Sequence, residues 1–289
     1  MQKLINSLFL ILLLLGAGFF IWQALQLRTA DRALGQPADM RLLFIGNSFT
    51  GNNNLDQLVA RLVDDLNPEG EIVFATSHTP GGYELKDHLQ DVENEAEEPR
   101  LRRLLITGSE QVRDWDLVML QNQSQVQGFL NRPLDDALKL AQYAGATSDE
   151  LLLYMTWGYP EGDPMNPTLY PDYLTMQGKI AQGYNNLAAE ISGSGYRVRV
   201  APVGRGFEFI YRLLVQDGQD PLAQDSLFRQ LYASDDRHPS LAGSYLAACV
   251  ITAVYTNQDI TQATWKPDEL DEEFAAYLRQ VAKIVVSGG

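Results

Sequence analysis

Between residue 40 and the carboxyl end, apolar positions follow two alternating rhythms. Short, mainly apolar runs occur at 41–46, 71–76, 115–121, 150–156 and 197–203. Each has the length of a strand, and apolar side chains without a polar alternation suit strands buried on both faces. Stretches of helical spacing separate the runs. In 54–66, residues Leu55, Leu58, Val59, Leu62, Val63 and Leu66 share one helical face. Helices are likewise predicted over 100–107, 133–144 and 172–193, and after the last strand over 206–216, 221–232, 240–256 and 269–286. Ser240 stands where it would cap the 240–256 helix. Strands alternating with helices predict an α/β domain, a three-layer sandwich with a five-stranded parallel sheet. There is no internal repeat or low-complexity tract, so residues 40–289 read as one domain.

The amino-terminal end has a different pattern. From Leu4 to Leu27 the chain is almost wholly apolar, with Lys3 before it and Arg28 and Arg32 after it. That run is long enough to cross a hydrocarbon core of about 30 Å, which takes roughly 20 helical residues. Residues 1–27 are therefore expected to form a transmembrane anchor, and 28–39 a tether. Gly16-Ala17-Gly18 could serve as a signal-cleavage site, but Phe19-Phe20-Ile21-Trp22 carries the apolar run past it. The expected location is a membrane-anchored, extracytoplasmic catalytic domain, with secretion after cleavage as the alternative.

Composition narrows the partners. The 22 basic and 37 acidic residues give a formal charge of −15, which repels phosphate backbones and disfavours nucleic acid. Cys249, the single cysteine, lies in an apolar run and is read as a small core residue. The sequence has no P-loop lysine motif, no Gly-x-Gly-x-x-Gly after the first strand and no metal-ligand spacing around its three histidines. No cofactor and no metal are expected. His78 and His88 are assigned surface or turn roles.

The candidate chemistry lies at the two ends of the domain. Asp235-Asp236-Arg237-His238 places a histidine three residues after an aspartate. Such a carboxylate can hold one ring nitrogen and leave the other free as a base. Ser48, in Gly46-Asn47-Ser48-Phe49, follows the first apolar strand, where α/β proteins place reactive groups. Nucleophile, orienter and base are thus available in the chain order Ser, Asp, His. A second candidate is the proline-rich stretch from Trp157 to Asp172, with Trp157, Tyr159 and Tyr170. It reads either as a functional overhang whose aromatics stack on a sugar or cover an acyl group, or as a stiffened surface loop.

Gly46-Asn47-Ser48-Phe49 early and Asp235-x-x-His238-Pro239 late resemble the SGNH (GDSL-type) hydrolases, over roughly residues 40 to 256. Gly46-Asn47-Ser48-Phe49-Thr50-Gly51 does not fit the G-x-S-x-G elbow of α/β-hydrolases, which share the triad order. The resemblance implies a flavodoxin-like sheet and a triad of Ser48, His238 and Asp235, with Asp235 preferred over Asp236 by the family spacing. It also implies an oxyanion hole built from the Ser48 N–H, a glycine N–H after the second strand and a side-chain amide after the third. Gly82 is the first choice for the glycine, with Gly81 the alternative. The third block departs from the family's Gly-x-Asn-Asp: here Gln121-Asn122-Gln123 follows the strand, as in the carbohydrate-esterase branch. Gln121 is the first candidate for the amide, Gln123 the second and Asn122 the third.

The activity implied is a serine esterase or deacetylase acting on O-acyl esters, with acetylated carbohydrate as the substrate. The alternatives are lipid or thioester hydrolysis, which needs an apolar tunnel, and a glycan-binding envelope module without catalysis.

Overall fold

The computed structural model describes residues 37–67, 69–97, 99–106 and 115–288. The expected anchor (1–27) and nearly all of the tether (28–39) lie outside the described residues, among which no helix is long and apolar enough to cross a membrane.

Five strands form one parallel sheet: β1 Met40–Ile45, β2 Val73–His78, β3 Leu117–Leu120, β4 Leu151–Tyr154 and β5 Val198–Ala201, in the order β2-β1-β3-β4-β5. This is the flavodoxin-like order. The sequence pattern explains which strands are central. Leu42-Leu43-Phe44-Ile45, Leu117-Val118-Met119-Leu120 and Leu151-Leu152-Leu153-Tyr154 are apolar at every position and buried at every position. Both faces of these strands must be covered, so they occupy the middle. Strands β2 and β5, with Ser77, His78 and Arg199, take the edges and are only partly buried.

The helices are α1 Ser48–Gly51, α2 Leu55–Leu66, α3 Leu85–Glu93, α4 Arg100–Leu105, α5 Ser124–Gln127, α6 Asp135–Gly145, α7 Tyr173–Gly193, α8 Val203–Gln216, α9 Leu241–Thr256 and α10 Glu272–Ser287. Contacts divide the longer ones into two layers, α2, α8, α9 and α10 in one and α3, α4, α6 and α7 in the other. Helix α9 is buried from Ala242 to Val254, including Cys249, because it lies between α2 and α10 as well as over the sheet. Ser240 caps it as predicted, accepting the Gly243 N–H at 3.2 Å.

Two predicted elements change and one helix is added. Strand β2 begins at Val73 rather than Glu71, because the Ile72 N–H is taken by Asp39 Oδ2 at 2.8 Å instead of a strand partner. Helix α3 was not predicted; its start is a capping box in which Glu84 and Asp87 exchange hydrogen bonds. The stretch 221–232 was predicted helical, but it forms turns ending in a single 3₁₀ turn at Arg229–Leu231. There the Ser226 hydroxyl donates to the Pro221 carbonyl (2.6 Å) and accepts from the Arg229 N–H (3.1 Å), while Gln230 Nε2 donates to the Asp225 carbonyl. Side chains that bond the local backbone offer it an alternative to the helical ladder.

Those turns matter because they lead into the 232–239 loop, which α9 holds from the other side. Gly243 lets the helix approach closely: a Cβ there would stand 2.1 Å from the Leu231 carbonyl oxygen. We predict that Gly243→Ala lowers the free energy of unfolding by roughly 1–3 kcal/mol through overpacking. Denaturant titration checks this; an unchanged midpoint would mean that the helix end shifts freely.

Candidate active site

Strand β1 ends at Ile45 between two neighbours that hold its exit: the Gly46 N–H donates to the His78 carbonyl (3.1 Å) and the Gln121 N–H to the Ile45 carbonyl (2.8 Å). The chain then turns sharply into α1. Asn47 caps that helix, its Oδ1 accepting the Phe49 N–H at 3.1 Å. Its Nδ2 reaches the Tyr83 carbonyl at 2.9 Å, which ties the turn to the loop after β2. Gln121 lies beneath. Its Oε1 accepts both the Asn47 N–H and the Thr50 hydroxyl at 2.9 Å. Gly46 is needed for this approach, since a Cβ there would fall 2.5 Å from Gln121 Oε1 and from Thr50 Oγ1. The result is a rigid turn that projects Ser48, half-buried, from the carboxyl end of β1.

The 232–239 loop delivers the other two groups. Tyr232 pairs with Pro239 across its base, and the Ala233 N–H donates to the His238 carbonyl at 2.8 Å. Inside the loop, Asp235 Oδ1 accepts the N–H groups of Arg237 (3.1 Å) and His238 (3.0 Å). Its Oδ2 is 2.5 Å from His238 Nδ1, and His238 Nε2 is 2.7 Å from Ser48 Oγ. An ionised carboxylate only accepts, so Nδ1 carries the ring proton and Nε2 offers its lone pair to the serine hydroxyl. Burial pushes the Asp235 carboxyl up, but the His238 ring and the two N–H groups outweigh it and hold the carboxyl below its ordinary value. The neighbouring Asp236 adopts a left-handed conformation (φ 57°) and pairs with Arg229 at 3.2 Å, outside the hydrogen-bond chain to Ser48.

Contacts from Asn53, Phe49, Trp157 and Tyr232 bring these distant segments together. Asn53 Nδ2 donates to the Pro239 carbonyl (3.3 Å) and to Ser244 Oγ (2.9 Å), joining the end of the serine turn to the histidine loop and to α9. The Phe49 ring lies 5.4 Å from the His238 ring and 5.1 Å from Trp157. Trp157 Nε1 donates to the Arg237 carbonyl at 3.1 Å, and Tyr232 donates its hydroxyl to the Gly158 carbonyl at 2.7 Å. Sequence reasoning missed these roles. For Asn53 a signal existed: the run Asn52-Asn53-Asn54 suits the left-handed backbone that Asn53 and Asn54 adopt. For Trp157 and Tyr159 the aromatic-overhang expectation is corrected. Both are buried, Trp157 flat against Phe207 at 4.3 Å, so they support the histidine loop and present no open face.

The oxyanion-hole candidates separate by burial. Gly82 is exposed, at φ 76°, in the turn closed by the Tyr83 N–H to the Pro80 carbonyl; Gly81 beside it is exposed as well. Gln121 is fully enclosed, with Oε1 committed to the serine turn and Nε2 donating to the Asn122 carbonyl. Asn122 is buried too, accepting from Leu85 N–H and donating to Gln127. A donor to a reacting oxygen must reach the site's surface, and of the three amides only Gln123 is half-exposed. The first-choice residue, Gln121, is enclosed beneath the serine turn, and the second choice, Gln123, is the half-exposed amide of the three.

No family model matches the chain, and no curated protein matches it in sequence. Solved structures do. A DUF4886 family protein from Bacteroides uniformis superposes with a TM-score of 0.65 at 18% identity, covering 86% of this chain and 95% of its own. A protein from Slackia heliotrinireducens described as an SGNH hydrolase gives 0.53 at 24% identity, covering 74% of this chain and 97% of its own. The chain has the SGNH hydrolase fold.

Within this SGNH fold the two remaining histidines back the serine turn. His78 ends β2 and pairs with Asp91 at 3.1 Å. The surface or turn role expected of His88 is corrected: it is fully buried, its ring 5.3 Å from that of His78 and 5.1 Å from that of Tyr83. An apolar helix face carries it inward, with Leu85, Leu89 and Val92 on the same side. Burial, with the His78 ring adding to it, pushes the His88 imidazole down to about 3. An unfolded histidine titrates near 6.5, so between those values the folded state binds fewer protons and loses stability as pH falls. We predict that His88 alone contributes a slope approaching about 1.4 kcal/mol per pH unit in that window. His88→Phe should flatten the dependence in denaturant titrations from pH 6 to 4; parallel slopes in the two proteins would exclude His88 as the group.

Proposed function

We propose that the domain is a serine hydrolase of carboxylic esters that removes an O-acyl group, acetyl in the simplest case, from a carbohydrate. The observation that carries this reading is the continuous hydrogen-bond chain from Ser48 Oγ through the His238 ring to Asp235. His238 Nε2 takes the hydroxyl proton as Ser48 Oγ attacks the ester carbonyl. Asp235 steadies the imidazolium, and the same proton passes to the leaving alkoxide. Water then repeats the sequence on the acyl-serine and releases the acid. The Ser48 N–H, the Gly82 N–H and the Gln123 side chain stabilise the oxyanion in this scheme.

The openness of the site favours a small acyl group on a bulky acceptor. The Asp235 and His238 side chains are 47% and 31% exposed, so a large, hydrated substrate can reach the triad. Beside the His238 ring lies the buried Phe49 ring, which is backed in turn by the buried Trp157. The proposal includes an extracytoplasmic location for the domain, held to a membrane by residues 1–27. That apolar segment supports it.

A fluorophosphonate probe tests the reading. Labelling is expected on the wild type and absent from Ser48→Ala. His238→Ala should lower kcat on p-nitrophenyl acetate by roughly three orders of magnitude or more with the far-UV spectrum unchanged. Wild-type turnover in His238→Ala would remove it as the base, and a well-folded wild type that neither labels nor turns over would support a binding module. A rate that climbs with acyl length would transfer the assignment to lipid or thioester hydrolysis.

A further inference from the structure

Asp163 is buried to 1% exposure in the segment after β4. A buried carboxylate needs donors, and this one has them. Its Oδ1 accepts the Met165 N–H at 3.0 Å, and its Oδ2 accepts Asn166 Nδ2 and Gln125 Nε2, each at 2.6 Å. The contact to Gln125 starts a longer chain. Gln125 Oε1 accepts Gln123 Nε2 at 2.5 Å, and Gln123 Oε1 accepts the Val126 N–H at 2.9 Å.

The two ends of this chain have fixed polarity. A carboxylate only accepts and a backbone N–H only donates, whereas a primary amide can do either according to which way it is turned. With Asp163 at one end and Val126 N–H at the other, both glutamine amides are forced into one orientation. Reversing Gln125 would set its oxygen against the carboxylate and its NH₂ against the NH₂ of Gln123. Gln123 is thereby compelled to present nitrogen, not oxygen. Its second Nε2 hydrogen meets no protein acceptor among the described residues. It belongs to the one half-exposed amide of the block that follows β3, and β3 is the neighbour of the strand that delivers Ser48.

We propose that Asp163 is a positioning residue for the ester-hydrolase site, fixing the Gln123 amide through Gln125 so that an N–H meets the oxyanion. The inference rests on the hydrolase reading above and adds a residue that acts without touching substrate. A Gln123 amide turned the other way would face the developing negative charge with its oxygen, opposing the reaction instead of assisting it. The segment does not depend on the relay for its shape. The Asp163 N–H donates to the Tyr170 carbonyl at 2.9 Å, the Tyr170 hydroxyl donates to the Gln125 carbonyl at 2.6 Å, and the Tyr170 ring stacks on Phe129.

Asp163→Asn keeps the shape but can offer NH₂ to Gln125, which leaves the Val126 N–H as the only end of the chain with fixed polarity. Steady-state kinetics on p-nitrophenyl acetate should show kcat lowered by at least about tenfold with KM within about twofold, and Gln123→Ala should lower kcat by roughly a hundredfold. The double variant should be no slower than Gln123→Ala alone, because Asp163 acts only through that amide. Gln125→Met cuts the relay while leaving Asp163 its other donors, and should reproduce the Asp163→Asn loss; it decides the matter if Asp163→Asn does not fold. Unchanged kcat in the folded relay variants, an unaffected Gln123→Ala, or additive losses in the double variant would each overturn the relay while Ser48-dependent turnover of the wild type persists. Absence of that wild-type turnover would instead remove the hydrolase reading, and the relay with it.

Discussion

One buried oxygen, Gln121 Oε1, accepts both an N–H and a hydroxyl from the turn that carries Ser48. Strand β1 stops at Ile45, and the backbone must leave the sheet within two residues to expose a hydroxyl at its end. A turn that tight exposes backbone donors which the sheet no longer satisfies, and a buried unpaired N–H costs on the order of 1–3 kcal/mol. Gln121 supplies the missing acceptor from the adjacent strand, and Gly46 supplies the space. The position of Ser48 therefore depends on the register of β1 against β3, two fully buried strands.

The base reaches the serine by a different kind of constraint. Ser48 and His238 are 190 residues apart, so ordering the chain between them must be offset by the whole core. Local contacts then fix the approach. Asn53, Phe49 and Trp157 each bridge the serine turn and the histidine loop, while Arg229 and Tyr232 hold the loop's own bends. Aromatic residues that resemble an exposed ligand platform in the sequence are consumed in this support. The Asp235 and His238 side chains stay partly exposed beside these buried aromatics.

A shared principle connects the Ser48–His238–Asp235 hydrogen-bond chain and the glutamine chain that ends on Asp163. In both, a group that can only accept decides the proton positions of groups that could be arranged either way. Asp235 selects the tautomer of His238, and Asp163 selects the faces of Gln125 and Gln123. Fixing polarity in the folded state before substrate arrives avoids reorganisation during the reaction.

Much of this was legible in the linear chain. Unbroken apolar runs such as Leu117-Val118-Met119-Leu120 can be satisfied only between two covering layers, so five strands and their parallel arrangement follow from pattern alone. Ser48, Asp235 and His238 were legible because each carries a short local signature, and Ser240 because capping is a local interaction. Roles that depend on what lies opposite were not. Whether Gln121 or Gln123 faces the surface, whether His88 and Trp157 are buried, and whether Asp163 holds an amide 38 positions away depend on contacts between segments remote in sequence. Sequence therefore determined which chemistry the chain can carry and where its strands end. Only the tertiary structure decided which polar side chains are spent on supporting that chemistry and which are left to perform it, because a side chain's task follows from its burial and partners, and both belong to the assembled fold.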